Sequence, residues 1–247
     1  MPKLASIAAS TPTTPVLKGI SSMATRQLLN ELLALYAAQG GCQMVLESVG
    51  GVDAAKRVQA GEVFDIVFLA SDAIDKLVAA GPLAGPLDAA SKVNLADSGV
   101  ALAVKAGAVK PDISSADAVR AAVLNAKSLS YSTGPSGVAL AKLFEAWGIA
   151  AEIKERIKTA PPGVPVGSLV AKGEVALGFQ QLSELIHLEG IALLGNLPAS
   201  IQITTTFSAA VCLASPHQAE ARKLLAFLRS SQAADAIRKQ GMEPAAA

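Results

Sequence analysis

Between Val16 and Ala80 the chain repeats one pattern three times: a short apolar run, a turn of small or polar residues, then apolar residues at helical spacing. The runs are VLKGIS, QMVLESV and FDIVFLAS. The third is apolar at almost every position, which is how a strand buried on both faces reads. A strand that turns at once into a helix and returns as another strand builds a right-handed βαβ unit, and such units give parallel neighbours. This repetition constrains the fold more than any other feature. It implies an α/β fold with mostly parallel sheets.

Helix boundaries follow from the punctuation. Ser21 and Ser22 precede MATRQLLNELLALYAAQ, and Gly40-Gly41 ends it. Ser71 or Asp72 is placed to cap SDAIDKLVAAG, and Ser114 or Ser115 to start the helix in PDISSADAVRAAVLNAK. SLSYSTG and VALGFQ read as strands, PSGVALAKLFEAWG as a helix with Pro135 in its first turn, and QLSELIHL as a short helix. HQAEARKLLAFLRS and SQAADAIRKQG are closing helices. Two longer extended segments, near residues 98–105 and 203–213, bracket the middle block. A chain that enters a second lobe once and leaves it once has this layout. The expected division is a flexible leader over 1–16, a discontinuous lobe I from 17–97 plus 206–247, and lobe II over 98–205.

Composition excludes several classes. Basic and acidic residues nearly cancel, 21 against 20, so there is no field to hold nucleic acid. Aromatic residues are 4%, too few for base-stacking platforms. Gly, Pro or charge interrupts every apolar stretch before membrane-span length, so no direct membrane insertion is expected. Lys3 followed by LASIAAS imitates a short secretory signal, but Thr and Pro break it, and the segment is read as a disordered leader. The expected location is periplasmic if a signal has been removed and cytoplasmic otherwise. Cys42 and Cys212 lack metal-ligand spacing and lie in apolar runs, which points to buried free thiols. No Walker loop, dinucleotide fingerprint, G-x-S-x-G elbow, H-E-x-x-H pair or acidic cluster is present. No cofactor and no metal are expected.

What recurs is the turn itself. It appears at Ser21-Ser22, at Ser48-Val49-Gly50-Gly51, and at Ser132-Thr133-Gly134-Pro135-Ser136-Gly137, with a polar variant at Gln180-Gln181. In a parallel sheet these turns share the carboxyl edge, where open α/β folds bind ligands. Helix N-termini there carry unpaired N–H groups and partial positive charge, so several aimed at one cleft hold an anion without Lys or Arg. Each turn alone is also what an ordinary helix cap looks like. Arg26, Lys56 and Arg57 stand close enough to salt-bridge a carboxylate, or to form solvated helix faces. His187 ends a short helix near the same edge, while His217 reads as a surface residue.

LKGISSMATRQLLNEL, ESVGGVDAAKRVQAGEVFDIVFLASDAIDKLVAAG, DSGVALAVKAG, YSTGPSGVALAKLFEAWGI and VPVGSLVAKGEVALGFQQLSEL follow in an order that resembles the type 2 periplasmic binding protein superfamily, close to the molybdate-binding component of ABC transporters. The resemblance runs from about residue 17 to 243. It implies two lobes joined by two crossover strands, closing over an anion, with an ABC transporter membrane component as partner. It places ligand positions on Ser21 or Ser22, on Ser48 to Gly50, and on the Ser132–Gly137 turn. The second turn departs from the Ser-Ser-Gly type of molybdate binders, and Gly178-Phe179-Gln180-Gln181 replaces their tyrosine-bearing strand end. Glutamines suit carboxylates, so an organic polycarboxylate is expected as the solute. The chain is also similar to bacterial aconitate isomerases, which share the fold and need no metal. That alternative implies a cofactor-free isomerase and requires a group that shuttles a proton. No buried carboxylate is evident for the task, which leaves Glu47, Lys56 and His187 as candidates.

Overall fold

The computed structural model describes residues 15–80, 86–160 and 164–246. Most of the expected leader, residues 1–14, lies outside the described residues, as do 81–85 and 161–163. The first half runs β1 (Leu17–Ser22), a 3-10 turn at Met23–Thr25, α1 (Arg26–Ala38), β2 (Met44–Val49), α2 (Gly51–Gln59), β3 (Ile66–Ala70), α3 (Ser71–Ala79) and β4 (Val93–Lys105). The second half runs α4 (Ala116–Asn125), β5 (Leu129–Tyr131), α5 (Pro135–Ala146), α6 (Ala150–Ile153), α7 (Val166–Lys172), β6 (Leu177–Gln181) and α8 (Leu182–Leu185). It closes with β7 (Ile191–Asn196), β8 (Thr204–Val211), α9 (Gln218–Leu228), α10 (Ser231–Lys239) and β9 (Glu243–Pro244).

The three βα repeats fold as their pattern dictates. β1 pairs parallel with both β2 and β3. Every residue of β3 is buried, and its side chains alternate between two cores. Ile66 and Phe68 pack into a cluster with Leu28, Leu29 and Leu32 of α1 and Leu224 and Leu228 of α9. Val67 and Leu69 pack on the opposite face with Val58 of α2 and with Ile74 and Leu77 of α3. Helices therefore cover both faces, and each buried Val, Leu, Ile or Phe contributes roughly 1.5–3 kcal/mol. α1 stops where Gly40 takes φ +85°, a left-handed conformation that favours glycine.

β4 belongs to both lobes. Its first part, Val93–Gly99, pairs antiparallel with β8, and its second part, Val100–Lys105, pairs antiparallel with β6 and β7. At 13 residues it spans about 40 Å, enough to serve both. Its second part repeats the two-face rule. Val100, Leu102 and Val104 pack with α4, α5 and α6. Ala101 and Ala103 pack with Leu169 and Val170 of α7. The strand order is β2-β1-β3-β8-β4-β6-β5, with β7 and β9 attached to β4. β5 and β6 pair parallel, like the first three strands, whereas the segments that cross between lobes arrive antiparallel. The sheet is thus more mixed than the βα repeats alone imply.

Two local expectations change. The expected caps at Ser71 or Asp72 do not form, because β3 runs straight into α3 with Ala70 at the N-cap. Ser115, one of the two expected starts of α4, does cap, its hydroxyl accepting from Ala118 N–H at 3.1 Å. β7 escaped the sequence reading. Its residues are all half-buried or exposed, so no two-residue alternation marks it. The two cysteines are free and buried, as expected. Burial pushes the Cys212 thiol up to about 12, so it packs as a small hydrophobe. Among the described residues, no helix is long and apolar enough to cross a membrane.

Candidate functional site

A cleft of about 730 Å³ opens between the lobes, beside the crossover strands. Its lobe I wall carries Ser22, Gly50, Gly51 and the outer faces of α2 and α3. Its lobe II wall carries Ser132–Ser136, Gln180, Gln181 and Glu184, and Thr205 and Phe207 of β8 lie between the walls. α2, α3 and α5 begin in the lining, and none has a side-chain cap. Their first-turn amides have no intrahelical partner, so partial positive charge from three helix ends is available to an anion. Pro135 at the start of α5 has no N–H to offer, which leaves those of Ser136 and Gly137 at that end.

The hydroxyls divide into two groups. Ser22, Ser132, Thr133 and Ser136 line the cleft. Ser21 and Ser48 do not; they are register partners across β1 and β2, and their hydroxyls meet at 2.7 Å. Their hydrogen bond fixes the strand ends from which Ser22 and Gly50 project. Ser132 and Ser136 hydroxyls meet at 3.0 Å, closing the third turn on itself. Gly137 lies behind that turn, where a Cβ would come 1.5 Å from the Ser132 carbonyl oxygen. Gly51 lies against Ser22, with 3.5 Å between a Cβ built there and the serine Cβ, so the first two turns abut.

The glutamines line the cleft, but their amides are already engaged. Gln180 Oε1 accepts from Gly167 N–H at 2.9 Å, and its Nε2 donates to Glu184 Oε1 at 2.8 Å. The Gln181 amide is best satisfied with its nitrogen donating to Ser98 Oγ at 2.9 Å and to the Ser98 carbonyl at 3.0 Å, while its oxygen accepts from Thr205 Oγ1 at 2.9 Å. Gln181 thereby ties β4 to β8 where both cross between lobes. Arg26 is exposed at the start of α1 and does not line the cleft.

The three candidates for proton transfer fare differently. Glu47 lies on β2 outside the cleft, where Arg57 grips both its oxygens at 2.6 and 2.8 Å. That guanidinium holds the carboxyl below its usual range, which makes it a poor proton carrier. His187 is exposed beyond the end of α8, with Nε2 3.0 Å from Gln240 Oε1 on the side of α10, and it does not line the cleft. Lys56 does line it, exposed on α2.

The group that sequence reasoning missed is Glu184. It stands on α8 with part of its surface open to the cleft and protein around the rest. Burial in that wall pushes its carboxyl up to about 7, against the opposing pull of the Gln180 hydrogen bond and the Arg26 charge. The other carboxyls in the lining, Asp53 and Asp72, are in the first turns of α2 and α3. The available signal was spacing: Glu184 is four residues after Gln180, one helical turn beyond the end of a buried strand.

Two lobes, two crossover strands and a cleft lined by uncapped helix ends define a solute-binding architecture. The chain belongs to the bacterial extracellular solute-binding proteins, whose family model matches residues 17–243. Among curated proteins it is similar to an aconitate isomerase from Pseudomonas sp., 41% identical over 189 residues, which are 76% of this chain and 70% of that one. Among solved structures it resembles the Azotobacter vinelandii periplasmic molybdate-binding protein, with TM-score 0.75, 20% identity, and coverage of 92% of this chain and 98% of that one. It also resembles the sulfate-binding protein SubI from Mycobacterium tuberculosis, with TM-score 0.72, 18% identity, and coverage of 93% and 86%. The two structural likenesses establish the type 2 periplasmic binding protein fold.

Proposed function

We propose that this protein captures a small polycarboxylate in the inter-lobe cleft and interconverts the allylic isomers trans- and cis-aconitate. The observation that carries the proposal is the 41% identity to an aconitate isomerase, sustained over 76% of the chain. The geometry supports it. Uncapped amides of α2 and α5, with the hydroxyls of Ser22, Ser132, Thr133 and Ser136, suit carboxylate oxygens, and Gly50 and Gly51 let a ligand approach the backbone. Lys56 and Lys76 add charge at the lobe I rim. Ser21, Ser48 and Gly137 shape the turns, and Gln180 and Gln181 hold the wall. In this reading the lobes divide as 17–97 plus 206–247 and 98–205, so the ligand is held where they meet.

The reaction moves one proton and one double bond. A C–H bond of the substrate methylene breaks, and its electron pair spreads over three carbons and the conjugated carboxylates. A proton then returns to the other end of that allyl system. Helix-end amides stabilise the charge that develops. A second reading, a receptor that captures the same class of anion without changing it, is favoured by the family to which the chain belongs. Its membrane partner would be an ABC transporter component. A thermal-shift panel of trans-aconitate, cis-aconitate, citrate, sulfate and molybdate tests the ligand class. Both aconitates are expected to raise the melting temperature by several degrees. Stabilisation by molybdate alone would overturn the polycarboxylate.

A further inference from the structure

We infer that the Glu184 side chain is the proton carrier: it takes the proton from the substrate methylene and returns it to the far allylic carbon. This rests on the isomerase reading above. Three observations single Glu184 out. It lines the cleft on a buried wall, whereas Asp53 is exposed and the Asp72 carboxylate faces Lys76 at 3.6 Å on the opposite rim. It is aimed: Gly167 N–H holds Gln180 Oε1, and Gln180 Nε2 holds Glu184 Oε1, so the carboxyl has one fixed oxygen. Its other oxygen, Oε2, takes no hydrogen bond among the described residues, in a side chain that lines the cleft.

The step balances with no partner beyond the substrate. Ionised Oε2 forms an O–H bond as the methylene C–H bond breaks. The same O–H then breaks as a C–H bond forms two carbons away, and the carboxylate is regenerated. One carboxyl serves both transfers, so no second acid is required. The charged groups near it are Arg26 from α1 and, across the cleft, Asp53, Lys56, Asp72 and Lys76. β4 brings Asp97, which is engaged by Thr206, while β6 and β7 bring no titratable side chain. A general base of this kind works best with a pKa near neutrality, and the cleft wall pushes Glu184 to about 7.

The experiment follows trans-aconitate with the full chain in D2O by proton NMR, comparing wild type, E184Q and E184D across pH 5 to 9. The expected result is conversion by the wild type in which part of the substrate hydrogen is carried to the far carbon and deuterium enters the new methylene to the extent that the Glu184 O–H exchanges with solvent before return, with a rate that rises through about pH 7. E184Q should lose about a thousand-fold in turnover while trans-aconitate still raises its melting temperature, and E184D should keep a measurable fraction. Conversion by E184Q at the wild-type rate would overturn the role of Glu184 and leave the isomerase intact. Binding without conversion or deuterium exchange by the wild type would overturn both.

Discussion

Ionising Glu184 works against the folded state. The unfolded carboxyl releases its proton near 4.5, whereas the folded one keeps it to about 7. Between those values the unfolded chain binds fewer protons, so stability falls as pH rises and levels off above the folded value. The loss is on the order of 2 kcal/mol after allowing for the side that faces the cleft. Melting temperatures between pH 5 and 8 should therefore decline in the wild type and decline less in E184Q. Parallel curves would place the carboxyl in ordinary solvent. Gly137 offers a second test at this scale. With 1.5 Å between a Cβ there and the Ser132 carbonyl oxygen, G137A must displace the third turn. A cost of about 1–3 kcal/mol in a urea melt is expected, with aconitate affinity reduced at least about tenfold. Unchanged affinity would remove that turn from the ligand's surroundings.

At the scale of elements, the ends of strands are held by polar side chains within the protein. Asp65, just before β3, accepts from the backbone N–H of Lys18 in β1 at 2.7 Å and from the Ser215 hydroxyl in the turn after β8. D65A would leave both donors unpaired, at a cost of about 2–4 kcal/mol in chemical denaturation. A loss below about 0.5 kcal/mol would show that water replaces the carboxylate. Gln181 plays the corresponding part for the crossover strands, holding Ser98 of β4 and Thr205 of β8. Q181A should loosen the junction, seen as faster amide hydrogen exchange in residues 98–100 and 204–206 with little change in the cores. The apolar strands and amphipathic helices were legible because each obeys one period. Phe68 and Val67 face different helix layers for the reason that makes FDIVFLAS apolar throughout. β7 was not legible, since partial burial on both faces erases its alternation.

For the whole molecule, the extended segment expected near residues 98–105 is the second part of one 13-residue strand, β4, whose first part pairs with β8 and whose second pairs with β6 and β7. The turns of the candidate site were legible for a related reason: a strand that ends in Ser or Gly and becomes a helix marks a helix N-terminus, and only the structure shows that α2, α3 and α5 lack side-chain caps. What the turns would do was less legible. Ser21 and Ser48 look like Ser22 in sequence, yet a 2.7 Å bond turns them toward each other. Glu184 resembles any helix glutamate until the Gly167–Gln180 relay and the cleft wall are assembled around it. Glu47 stood nearer a recognised turn, but Arg57 claims it. Proximity along the chain located the cleft, and only packing sorted its chemistry.

A cleft that changes the polycarboxylate it holds must show turnover. The direct measurement is proton NMR of trans-aconitate incubated at pH 8 with catalytic amounts of the full chain, followed to equilibrium. The cis-aconitate signals should grow at a rate proportional to protein concentration and reach the same isomer ratio from either starting compound. Saturable binding of trans-aconitate with no cis-aconitate formed over hours would contradict turnover and leave a receptor.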